Sequence, residues 1–162
     1  MANYCMNKLT ILGKTKEIIR FKETVWKSKD EPLNFQTTIP MPDELANTQS
    51  PSNLSKIKQA NLIKKYGHTD WHSWQIANWG CKWGPYKDSM TKPTQTNYKN
   101  GKTKIIYEYD TPWSPPTQWL INTSKQFPKL KFQNYYNEPG MRFKGTETII
   151  NGKIIKNTIN NY

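Results

Sequence analysis

Apolar bulk in this chain is carried by a few large side chains. Seven Trp, nine Tyr and five Phe stand among 162 residues, against a mean hydropathy of −0.90. Each buried aromatic side chain removes roughly 150–250 Å² from water, so rings can fill a core that the sparse aliphatic residues could not. The length fits one domain, 1–162. The rings are densest over residues 70–83, which hold Trp71, Trp74, Trp79 and Trp83. Asp70 is suited to N-cap a helix there, with Ile76, Trp79 and Trp83 along one face. Gly80 and Gly84-Pro85 end it. Four tryptophans on one helix cannot all face inward, so Trp71 or Trp74 is expected to reach the surface.

The rest of the chain supplies a sheet for those rings to pack against. Residues 3–12 alternate as a strand, with Cys5, Leu9 and Ile11 on one face and Tyr4, Met6 and Leu12 on the other. Residues 15–27 predict an amphipathic helix on Ile18, Phe21, Val25 and Trp26. Residues 33–39 read as a second strand, stopped by Pro40 and Pro42. A polar, turn-rich stretch and a weakly anchored helix make 46–66 an insertion. Asn100-Gly101 and Asn151-Gly152 suit the positive φ angles of hairpin turns. Between them lie a strand over 104–110, a helix capped by Ser114 and carrying Trp119, Leu120 and Phe127, and a strand with Leu130, Phe132 and Tyr136. Residues 146–162 form a C-terminal hairpin extension. This order predicts an α+β fold, a ferredoxin-like antiparallel sheet with helices on one face, a helical insertion and hairpin additions.

The formal charge is +12, almost all of it from Lys, with Arg20 and Arg142 the only arginines. Such a chain attracts polyanions. An AT-rich genome would also enrich Lys, Asn and Ile without any binding role. Cys5 and Cys81 are too few for a metal framework and read as packed thiols. No run approaches the roughly 18 apolar residues of a membrane span, and no leader precedes the first strand. The expectation is a cytosolic protein with no membrane partner.

Ordered motif blocks resemble the YubB-type family of phage and plasmid proteins. They run from Ala2-Asn3-Tyr4-Cys5-Met6-Asn7, with Leu9 and Ile11, through Ile39-Pro40-Met41-Pro42-Asp43-Glu44-Leu45, to Asp70-Trp71 and Trp74. Asn78-Trp79-Gly80-Cys81-Lys82-Trp83 follows, then Thr111-Pro112-Trp113-Ser114-Pro115-Pro116, then Tyr136, Glu138, Gly140, Phe143 and Gly145. Cys81, Pro112 and His72 depart from the family's usual residues. The resemblance implies a ferredoxin-like sheet and an origin in a bacteriophage, prophage or plasmid, hence a bacterial cytosol. It implies no reaction.

No phosphate-binding glycine loop, nucleophile elbow or Cys-x-x-Cys pair appears, and Gly13-Lys14-Thr15-Lys16 lacks the upstream glycine of a Walker loop. His68 and His72 lack a third metal ligand. Glu108 and Asp110 share a strand face but are surrounded by lysines able to pair with them. No cofactor is expected. The expected site combines stacking rings with cations: Trp71, Trp74, Lys82, Trp83, Lys87 and Arg142, with Lys102, Lys104 and Lys144 as further basic candidates. The expected function is non-enzymatic binding of a phosphate-bearing ligand, nucleic acid or a nucleotide signal, in antagonism of host defence. The alternative is an inhibitor docking on an acidic host defence protein, by a sheet edge or as a homo-oligomer.

Overall fold

The computed structural model describes residues 2–162. β1 (Tyr4–Lys14) leads directly into α1 (Thr15–Val25). A long connection over residues 26–93 then carries α2 (Asp43–Ala46), α3 (Lys56–Tyr66) and α4 (Trp71–Trp79). β2 (Thr94–Asn97), β3 (Lys102–Pro112), α5 (Thr117–Ser124), β4 (Lys131–Glu138), β5 (Phe143–Ile150) and β6 (Lys153–Asn161) complete the chain. The strands form one antiparallel sheet in the order β2-β3-β1-β4-β5-β6. Within it β1-α1-β2 and β3-α5-β4 are two interleaved split βαβ units, the ferredoxin-like arrangement, and β5-β6 extends the β4 side.

β1 behaves as its alternation requires. Cys5, Asn7, Leu9 and Ile11 are buried on the helix side, while Tyr4 and Met6 face solvent. Ile18, Phe21 and Val25 of α1 meet that side. Trp26 does not, since the chain turns extended after Val25 and leaves the ring 53% exposed.

The expected strand over 33–39 is replaced by a 3₁₀ turn, Phe35–Thr37. Both edges of β1 are already taken by β3 and β4, so this segment cannot join the centre of the sheet. The Asn34 side chain instead accepts from the Gln36 N–H at 2.9 Å, and Phe35 drops into the core. Its ring stacks on Trp119 at 4.3 Å and meets Trp79 edge-on at 5.7 Å. Ile76 is also corrected: α4 buries Trp74, Gln75 and Trp79 against its neighbours, including α5, and leaves Ile76 exposed. Trp83 lies past the left-handed Gly80 that ends α4. Ser114 caps no helix; its hydroxyl donates to the Gly80 carbonyl at 2.7 Å, and α5 begins only after Pro115-Pro116.

The two hairpins differ. Asn151 and Gly152 both take positive φ, a two-residue turn between β5 and β6. At the other, only Gly101 does, within a four-residue turn over 98–101.

Under the sheet runs a row of buried polar groups. Asn7 Nδ2 donates to Thr111 Oγ1 at 2.9 Å, and Asn134 Nδ2 donates to Asn7 Oδ1 at 3.1 Å. Glu147 lies directly across from Asn134 and accepts from Thr117 Oγ1 at 2.9 and 3.1 Å. Burial holds its carboxyl above the usual carboxylate range. Burial, reinforced by Glu138 and Asp110, pushes the Cys5 thiol up to about 12, and burial pushes Cys81 up as well. Both thiols are free and are expected to resist a thiol reagent at about pH 8 until the chain unfolds, which a colorimetric titration with and without denaturant would read.

Because the Glu147 carboxyl titrates higher in the folded than in the unfolded chain, the native state holds the extra proton between the two values. Stability therefore falls as pH rises through that window and stays lowered above it. Glu147→Gln keeps an acceptor for Thr117 and offers an amide to Asn134 Oδ1, which is buried without a partner among the described residues. It is expected to raise the melting temperature at neutral pH, by an increment that vanishes below the ordinary glutamate range of about 4.3. A melting series across that pH range reads it; a loss at neutral pH would mean that the charge is stabilising.

Candidate nucleic-acid interface on the open sheet face

Helices cover one face of the sheet, so alternate strand residues point from the other face, most of them toward solvent, with Thr148 and Pro112 buried. The register orders these residues in rows. One end begins with Lys14 directly opposite Lys102. The next row runs Thr96, Lys104, Leu12 and Lys131, and the third Thr94, Ile106, Thr10, Gln133, Thr148 and Lys156. Glu108, Lys8, Tyr135 and Thr146 follow, then Asp110, Met6, Asn137 and Lys144, and finally Tyr4. Lysines are spread over the whole face, whereas its two carboxylates sit together on β3. Tyr4 and Tyr135 are about half exposed.

A groove of about 400 Å³ opens at the lysine-rich end, lined by Thr10, Leu12, Tyr98, Asn100, Lys102, Lys104, Lys131 and Gln133. The turn over 98–101 forms one wall and is tied down from several sides. Its Gly101 carbonyl accepts from the Thr15 N–H at 3.2 Å and from Thr15 Oγ1 at 3.0 Å. The Lys102 N–H donates to Asn100 Oδ1 at 3.1 Å, and Thr103 Oγ1 donates to Asn97 Oδ1 at 3.0 Å. The lining offers lysine ammonium groups, two amide side chains and one phenol, with no carboxylate among the described residues. Like charges directly across a ladder are destabilising. Among the described residues the ion pairs are made by Arg20, Lys27, Lys65 and Lys87, so Lys14, Lys102, Lys104 and Lys131 stand without a counter-charge.

The residues expected from sequence to form the site are dispersed. Trp74 lies in the core, edge-on to Trp79 at 5.8 Å. Trp71 is half-buried at the first position of α4, its backbone N–H donating to Thr48 Oγ1 at 2.9 Å. Lys87 is committed to Glu31 at 2.7 Å, and this contact is the main cause of Glu31's lowered pKa. Lys82 and Trp83 do come together, with the ammonium 5.0 Å from the ring centre. From Trp83 a line of rings passes through Tyr86 at 6.0 Å to Tyr4 at 4.9 Å, which brings this pair to the rim of the open face. Arg142 occupies the turn between β4 and β5, at the Tyr4 end of the sheet, in a left-handed conformation. Among the described residues no group of His, Cys, Asp and Glu could hold a metal ion, and no helix is long and apolar enough to cross a membrane.

Sequence reasoning named Lys102, Lys104 and Lys144 but missed Lys8, Lys14, Lys131, Tyr98 and Tyr135. The signal was their parity: each lies on a strand at the alternate position to a core residue, or in the turn beside it.

Sheet order, interleaved βαβ units and single-face helices define a ferredoxin-like α+β domain. The chain belongs to the family described as the ferredoxin-like domain in Api92-like protein, whose sequence model matches residues 78–162. The crystal structure of a protein api92 from Yersinia pseudotuberculosis is similar over 100% of this chain and 98% of that one, with a TM-score of 0.55 and 9% identity. That likeness concerns the fold alone. No curated protein matches the sequence.

The division between core and open-face aromatics has a direct test. Trp74→Ala is expected to cost about 3–5 kcal/mol, whereas Tyr135→Ala should change stability by no more than about 0.5 kcal/mol. Denaturant titration of both variants distinguishes them; equal losses would mean that Tyr135 is structural.

Proposed function

We propose that this protein is a non-enzymatic binder of a phosphate-bearing ligand, and that single-stranded nucleic acid lies across the open sheet face. The observation that carries this reading is the unneutralised lysine cluster around Lys14 and Lys102, a costly arrangement that an anion would relieve. Phosphates would sit against Lys102, Lys104 and Lys131, and bases would stack on Tyr98, Tyr135 or Tyr4. Lys82 with Trp83, and Arg142, would extend the surface at the Tyr4 end. A nucleotide signal fits the groove by the same chemistry. The YubB-type resemblance supports a setting in a phage, prophage or plasmid. There, a binder without catalytic groups would act in the host cytosol by occlusion or sequestration, against a host defence.

Fluorescence anisotropy with labelled oligothymidylate and oligouridylate, titrated from low salt upward, tests the reading. Affinity should fall linearly on log–log axes, with a slope of about −0.7 per phosphate neutralised. The triple variant Lys102→Gln, Lys104→Gln, Lys131→Gln should flatten that slope by about 2. Lys27→Gln with Lys29→Gln, away from the face, should leave it unchanged. Tyr135→Ala should weaken binding by roughly 5- to 150-fold, the equivalent of about 1–3 kcal/mol per stacked base. Absence of binding to DNA, RNA and nucleotides at low salt, or a triple variant equal to the parent, overturns it. A partner retained from nuclease-treated host lysate would favour the acidic-protein alternative.

A further inference from the structure

We propose that β6 pairs antiparallel with β6 of a second copy of this chain, joining two sheets edge to edge about a two-fold axis at Asn157. The proposal is independent of the ligand reading above.

β6 is nine residues long, and all of them are exposed. One of its edges is bonded to β5; the other has no partner among the described residues. The Tyr162 N–H donates to the Arg142 carbonyl at 3.0 Å. In an antiparallel ladder such bonded positions alternate, so Asn160, Thr158 and Lys156 turn their backbone groups toward β5. Asn157, Ile159 and Asn161 turn theirs outward. Natural edge strands are blunted by shortness, proline or inward charge. β2, at the opposite edge, has four residues and follows Pro93. β6 is longer and has no proline; its protection, Lys153, Lys156 and the extra residue Ile155 between the Thr148–Lys156 and Ile149–Ile154 pairs, is confined to its first half.

The strand also exposes apolar surface that a monomer does not use. Ile154, Ile155 and Ile159 are 43%, 58% and 61% exposed. Ile159 lies across from Gly145 and Ile154 across from Ile149, on the helix side of the sheet. There α5 packs on β4 and β5 and α1 on β1 and β3, which leaves β6 beyond them.

What selects a second copy is the way charge is distributed along β6. Both of its lysines, Lys153 and Lys156, are in the first half, and the second half is Asn, Thr and Ile. Antiparallel self-pairing centred on Asn157 sets Lys153 against Asn161, Lys156 against Thr158, and Ile155 against Ile159, each contact occurring twice. No like charges meet, and on each side of the Asn157 pair an Ile155 of one copy meets Ile159 of the other. A parallel pair would set lysine on lysine. The contact is isologous and closes on itself, as two-fold dimers do. The axis stands perpendicular to the sheet, so both lysine-bearing open faces end on the same side.

Sedimentation velocity across a concentration series is the primary test, with the intact chain expected at about twice its 19.1 kDa mass. Asn157→Pro removes only an outward N–H, which proline tolerates at an edge. Ile159→Lys sets a cation against Ile155 and close to Lys156 of the other copy. Each should raise the dimer dissociation constant at least about tenfold, with the far-ultraviolet circular dichroism of the folded chain unchanged. As a positive readout, N157C should form an intermolecular disulfide on mild oxidation, because a bonded antiparallel pair sets the two Cα atoms about 5.5 Å apart. A chain that stays monomeric at the highest concentrations overturns the proposal. So does a dimer indifferent to both substitutions, or one that N157C fails to cross-link.

Discussion

The double pairing of β1 is the constraint on which the other features depend. Along its length β1 bonds to β3 on one side and to β4 on the other, so α5 must carry the chain over β1 to reach the far side. A right-twisted sheet accepts that crossover on one hand only, which puts α5 on the same face as α1. The connection between α1 and β2 packs its aromatic residues on the same side, with Phe35 against Trp119, Trp79 and Tyr109 of β3. One sheet face is buried beneath the helices and this connection, and the other is left bare.

That asymmetry explains how a chain of +12 formal charge folds without pairing most of its lysines. On the bare face each ammonium keeps its hydration, and only local repulsion, strongest at Lys14 and Lys102, counts against the fold. Beneath the sheet the opposite rule holds. Asn7, Asn134 and Thr111 bond to one another, and Glu147 is raised toward its neutral form. The two faces therefore respond differently to solution conditions: ionic strength acts on the bare one and acidity on the buried one.

Elements with strong periodicity and clear punctuation were legible in the sequence. β1, the Ile18–Phe21–Val25 stripe, the Asp70 cap and the Asn151-Gly152 turn depend on local patterns that the fold leaves intact. The misses share a different cause. Leu33 and Phe35 alternate like a strand, but whether a strand forms depends on a vacant edge, which is a property of the whole sheet. The real second ferredoxin strand, Thr94–Asn97, is entirely polar because it is exposed on both sides. The same holds for the candidate site. Tryptophan is densest over residues 70–83, but Trp74 and Trp79 there are core, while the accessible rings of the open face are single tyrosines separated along the chain. Only the register of β1 with β3 and β4 brings Lys14, Lys102 and Lys131 together.

The register of β1 also sets an order of events during synthesis. Tyr4 lies opposite Pro112, so the strand at the centre of the sheet leaves the ribosome about a hundred residues before its first partner is complete. At roughly 5–20 residues per second, that is a wait on the order of 5–20 s. Over that interval Cys5, Leu9 and Ile11 have α1 to pack against but no ladder, and non-local pairing of this kind is slow even in the finished chain. β5 and β6, joined by a two-residue turn, can close as soon as they emerge. β1, made long before its partners, is therefore among the last strands to be secured.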